Sequence, residues 1–148
     1  MQTWLKRIWS TVLMGLAWGV AWAPIAVLLG VFVIDPDNSM DEMWFIVGAY
    51  PGFLCGVIFS ALRGLGEGDR RLDQLSLPRA GAWAVVSGVL VGALPFALGS
   101  QNPENPSWLG LAVIGSFSLM SAISAVASVL ISRTAKGRVL RGAGANLA

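Results

Sequence analysis

Catalysis needs reactive side chains held close together, and this sequence supplies few of them. It has no histidine and one cysteine, Cys55, set in an apolar run. Without histidine the chain lacks the commonest metal ligand and general base, and the usual axial ligand of haem or chlorophyll-type pigments. One cysteine excludes an intramolecular disulfide and any CxxC redox or metal site. Tyr50, Cys55 and the serines of the last apolar run (Ser116, Ser118, Ser121, Ser124 and Ser128) have no Asp, Glu or Lys beside them in the sequence. A nucleophile needs such a partner within hydrogen-bonding reach. No enzyme is expected, and no catalytic residue, metal or cofactor of its own.

Two short segments resemble binding loops. Asp35, Asp37, Ser39 and Asp41 alternate as in the opening of a calcium loop, but the sixth position lacks glycine and the twelfth is Ile46 instead of a bidentate glutamate. Ser39 and Glu42 stand at capping-box spacing, which places Asp41 and Glu42 at the positive end of the next helix, so capping is the expected role. Gly64, Gly66 and Gly68 are not a phosphate loop, because no strand precedes them and no Gly-Lys-Ser/Thr follows. Asn105-Pro106-Ser107 cannot accept a glycan, since proline occupies the middle position.

The elements that would carry these residues are long and apolar. Hydrophobic residues make up 55% of the 148-residue chain and charged ones 12%, with a mean hydropathy of +0.70. A soluble domain carries about 25% charged residues. Four charge-free stretches, about 11–34, 43–62, 80–99 and 108–132, are each long enough to cross a bilayer. The expected fold is therefore a single all-α transmembrane domain, 1–148, of four helices in two hairpins with a basic tail at 133–148.

Charge sets the expected orientation. All ten basic residues lie before the first stretch, between the second and third, or after the fourth; the loops 35–42 and 100–107 have none. By the positive-inside rule both termini and the middle loop are cytoplasmic. Trp4, Trp9 and Trp83 then fall at the inner interface, and Trp44 and Trp108 at the outer one, as an aromatic belt requires. Lys6 and Arg7 before an apolar run, with Ala21-Trp22-Ala23, resemble a signal peptide; Pro24 at the next position disfavours cleavage, so the first span is expected to stay as an anchor.

Membrane helices associate through small residues. Gly48, Gly52, Gly56, Ser60 and Gly64, each four apart, line one face of the second span, and Ala80, Ala84, Gly88 and Gly92 line one face of the third. Gly48, Gly52, Gly56, Ser60, Gly88 and Gly92 are the expected helix-packing or partner contacts. Trp18 and Trp22, one turn apart in the first span, are expected to face a partner or bound lipid. Pro24, Pro51 and Pro95 are read as plain kinks. Leu72, Leu75 and Leu77 suggest a short amphipathic segment on the membrane surface within a hinge-like middle loop. Lys136, Arg138 and Arg141 are expected to lie on anionic lipid headgroups.

The Asp35-Pro36-Asp37 turn, followed by Arg70-Arg71-Leu72-Asp73-Gln74-Leu75-Ser76-Leu77-Pro78-Arg79 leading into the third span, resembles a group of small four-span bacterial inner-membrane proteins. That resemblance covers most of the chain and implies the topology and a bacterial inner membrane; the group has no assigned activity to carry over. The expected function is a non-catalytic accessory, structural or assembly subunit of a larger bacterial membrane complex, for example a photosynthetic reaction-centre–light-harvesting complex. Its expected associates are other membrane subunits, bound lipids and neighbouring pigments, with a homo-oligomer as the other assembly and no nucleic acid. The alternative is a small channel or transporter for a neutral solute, lined by the fourth span's serines.

Overall fold

The computed structural model describes residues 2–34, 41–68, 70–99 and 106–145. These form four helices: α1 (Gln2–Leu29, extended by a π-helical turn, Gly30–Ile34), α2 (Asp41–Glu67), α3 (Leu77–Ala97) and α4 (Trp108–Ala145). A 3₁₀ turn, Leu72–Gln74, lies between α2 and α3, and the described residues contain no strand. Each helix includes a stretch long and apolar enough to cross a membrane, and only 17% to 39% of each stretch is buried within the bundle. The remaining apolar surface, Val20, Phe32, Ile46 and Leu111 among it, points outward. That is the arrangement expected where the solvent is lipid.

The loop that holds Asp35, Asp37 and Ser39 lies outside the described residues, as do Asn105 and the side chains of Asp41, Glu42 and Arg141. The capping and calcium readings of the first loop therefore fall outside the described structure.

The helices end where glycine permits it. Gly68 (φ +61°) follows α2 and Gly99 (φ +75°) follows α3, the left-handed conformation that stops a helix cheaply only when no Cβ is present. Ser76 precedes α3, with Pro78 in its first turn, where the missing N–H costs nothing. Pro24, Pro51 and Pro95 sit within helices that continue through them. α4 does not stop where its apolar stretch does, and the helix continues through 133–145 of the basic tail. Ala135, Lys136, Arg138 and Arg141 are good helix formers, and no proline interrupts them, so the ladder outlasts the apolar stretch.

Two hairpins, α1–α2 and α3–α4, close on their small residues. The row on α2 faces α1: a Cβ added at Gly52 would lie 2.8 Å from Trp22 Cβ and 3.0 Å from the Trp18 carbonyl. At Gly56 it would lie 2.8 Å from the Met14 carbonyl, and at Gly48 it would collide with Ala26. The second hairpin repeats the device, with Gly88 against the backbone of Phe117 and Ser118 and Gly92 against Ile114. Close approach of this kind increases van der Waals contact where no hydrophobic force favours helix association over lipid.

The segment between the hairpins is bound down. Leu75 is 2% exposed and belongs to the core, with Leu72 and Leu77 packed against it. This corrects the expected surface segment: Leu75 seals the end of the bundle. Arg133 of α4 donates to the carbonyls of Asp73 (3.3 Å) and Leu75 (2.7 Å), and Lys136 pairs with the Asp73 carboxylate. Lys136 was expected on lipid headgroups; a fixed carboxylate one side chain away is the partner it takes. Glu67, at the end of α2, accepts from Arg70 and lies 3.6 Å from Arg79.

Two outcomes follow. Gly52→Leu should destabilise the α1–α2 hairpin by about 1–3 kcal/mol, read as a lower Tm in mild detergent. Gly115→Leu, where a Cβ meets nothing within 4 Å, should leave Tm unchanged or slightly raised. The hydrogen bond from Lys136 holds the Asp73 carboxyl below its usual range. A lowered folded pKa stabilises the fold above the unfolded value, about 3.9 for Asp, and that stabilisation is lost as pH falls through the folded pKa. Protease protection of the 70–79 segment should hold at neutral pH and fall below pH ~4, with Asp73→Asn removing the acid-dependent part.

Candidate functional site

The polar centre of the molecule is built from two residue pairs with the same spacing. Trp18 and Trp22 are one turn apart on α1, and Ser124 and Ser128 are one turn apart on α4. Because residues four apart share a helix face, two antiparallel helices can set both pairs opposite each other. The indole Nε1–H of Trp18 donates to Ser128 Oγ at 3.2 Å, and that of Trp22 donates to Ser124 Oγ at 2.8 Å. The rising number on α1 meets the falling number on α4, as antiparallel helices require.

Both indoles are buried, Trp18 at 2% and Trp22 at 4% exposure. This corrects the expectation that they face a partner or bound lipid. An indole in a water-free interior needs an acceptor for its N–H, and α4 supplies one for each. Their rings pack both within the first hairpin and across to the second. Trp18 stacks on Phe59 of α2 with centroids 5.1 Å apart, and Trp22 meets Phe117 of α4 edge-on at 5.9 Å.

The serines expected to line a solute path are otherwise engaged. Ser128 accepts from Trp18 while donating to the Ser124 carbonyl at 2.7 Å. Ser116 and Ser118 donate to the carbonyls of Ala112 and Ile114 on their own helix. Ser121 is the exception: its hydroxyl is fully buried beside the Cys55 thiol and has no partner of good geometry. Toward the basic end, the Ser60 and Thr11 hydroxyls share a hydrogen bond of 3.3 Å between α2 and α1.

Gly48, Gly52, Gly56 and Ser60 thus face α1, and Gly88 and Gly92 face α4, so neighbours within the chain occupy both small-residue rows. Trp18 and Trp22 sit against the α2 row and reach past it to α4. Arg138 is exposed. Among the described residues no three His, Cys, Asp or Glu side chains come together as a metal site would need. The sequence showed both spacings, Trp18 to Trp22 and Ser124 to Ser128, but contained no signal that would pair them. Nor did it show that the Arg133 guanidinium satisfies two carbonyls of the middle segment.

Comparison with protein-family models, with curated proteins and with solved structures finds no match to this chain.

The two indole–hydroxyl hydrogen bonds clasp α1 to α4. In a double-mutant cycle, Trp22→Phe and Ser124→Ala should show a coupling of about 0.6–1.7 kcal/mol, the range for interhelical hydrogen bonds in membrane proteins. Trp22→Phe with Ser116→Ala should show none, since Ser116 bonds only its own helix.

Proposed function

We propose that this chain is a multi-pass protein of a bacterial cytoplasmic membrane, with both termini and the middle segment cytoplasmic, acting as a non-catalytic structural or assembly subunit of a larger membrane complex. The observation that carries the reading is the use made of the interior polar groups. Both buried indoles and the serines opposite them are committed to joining α1 to α4, which favours a scaffold over a reaction centre.

Orientation rests on charge. Arg7, Arg63, Arg70 and Arg71 line one groove, Arg79 reaches Glu67, and Arg133 and Lys136 hold Asp73, so these basic residues gather at one end of the bundle. The positive-inside rule assigns that end to the cytoplasm. Partner contact is assigned to the outer surface of α4, whose apolar stretch has the smallest buried share, 17%. A pigment-bearing, energy-transducing complex is one class of host; lacking histidine, the chain would touch pigments there without ligating them through imidazole.

A second reading, passage of a small neutral solute, draws on the unpartnered Ser121 hydroxyl between the hairpins. Native purification in mild detergent, with size, absorbance and protein composition recorded together, separates the two. The expected result is a large assembly with stoichiometric partner chains, whose absorbance identifies any pigmented host. A lone monomer or homo-oligomer that passes neutral solutes when placed in liposomes would overturn the subunit reading.

A further inference from the structure

At the basic end, the start of α1, the end of α2 and the residues just after it enclose a groove of about 700 Å³. Arg7, Arg63, Arg70 and Arg71 line it, and no acidic residue is among its described lining residues. Of the described acids nearby, Glu67 neutralises one of these arginines, Arg70, and also lies near Arg79, while Asp73 pairs with Lys136. Asp69 lies outside the described residues. Ser10, Thr11 and Ser60 also line the groove.

Its arginines are held in different ways. Arg63 Nη1 donates to the Arg70 carbonyl at 2.7 Å, which fixes the guanidinium, while Arg63 Nε is buried and meets no acceptor among the described residues. The Arg71 side chain makes no hydrogen bond or ion pair there either, although its charge acts on Asp73. A buried donor without an acceptor costs stability that a bound acceptor would restore. Guanidinium is the group best matched to phosphate oxygens, which it binds through paired N–H donors.

The rim decides between sources of phosphate. Trp4 and Leu65, both lining the groove, are 67% and 86% exposed, and Ile8 and Leu72 adjoin them. A free anion has no use for such a rim, whereas a phospholipid presents its phosphate and acyl chains together. We propose that this groove binds a phosphate ester, presented as the headgroup of an anionic phospholipid, through Arg63 and Arg71. The site rests on the helices standing in a bilayer and requires no partner subunit, so failure of the subunit reading would leave it untouched.

The test is native mass spectrometry of the full chain in mild detergent, titrated with phosphatidylglycerol, with phosphatidylcholine of matched acyl chains, and with inorganic phosphate. Phosphatidylglycerol should be retained in preference to phosphatidylcholine, and Arg71→Gln should weaken that retention about tenfold, the loss of one charge-assisted hydrogen bond. Lys6→Gln, at a residue that does not line the groove, should not. Binding of inorganic phosphate as tight as that of the lipid, and equally lost in Arg71→Gln, would keep the phosphate chemistry and reassign its source. Because Arg63 also holds the Arg70 carbonyl, Arg63→Gln is scored only alongside a wild-type Tm, and Arg71→Gln carries the test by itself. Equal retention of the two lipids with no phosphate binding, or unchanged retention in Arg71→Gln, would overturn the site.

Discussion

A polar group sealed among apolar helices has no water to turn to, and leaving it unpaired costs several kcal/mol in a hydrocarbon setting. This constraint organises the centre of the molecule. Two indoles and two serines sit in the interior of a bundle whose outer surface is apolar, and each indole N–H reaches a hydroxyl on the opposite hairpin. Ser116 and Ser118 turn back to carbonyls of their own helix, and Ser121 is the exception that stays unpaired among the described residues. Satisfying these groups and joining α1 to α4 are therefore one event. The rings that bring the N–H donors also pack within and between the hairpins, Trp18 on Phe59 of α2 and Trp22 against Phe117 of α4.

The clasp works only because each hairpin is already close-packed. Gly52 and Gly56 let α1 approach α2 to within contact of its backbone, and Gly88 does the same for α4 against α3. A side chain at Gly52 would displace Trp22 from the position where it reaches Ser124. Small residues on α2 thus position large ones on α1, and the large ones carry the contact to the second hairpin. The same row cannot also seat a helix from another protein, so any partner must use the outer faces.

The basic end is closed by different means. Water and headgroups are available there, so charges can be used, and the middle segment is tied by Arg133 and Lys136 of α4 on one side and Glu67 of α2 on the other. Leu75 inserts beneath these contacts as an apolar plug. Arg63, Arg70 and Arg71 are left around a groove with an apolar rim. The segment that links the hairpins therefore also shapes this arginine-lined groove.

The sequence by itself determined the number of helices, their apolar character and the small-residue faces, because each follows from composition and a local period. Even the pairing of α1 with α2 and of α3 with α4 follows from short loops and matching glycine rows. It did not determine where helices stop when no proline or left-handed glycine marks the end, and α4 runs to Ala145 past the limit of its apolar stretch. Nor did it determine the destination of long polar side chains. Trp18 and Trp22 read as contacts for a partner or lipid and Lys136 as a headgroup anchor, and each, like Arg133, finds an acceptor more than 57 residues away. Which acceptor comes within reach depends on how the two hairpins rotate against each other, a property that no window of sequence contains. Only the tertiary structure decided it.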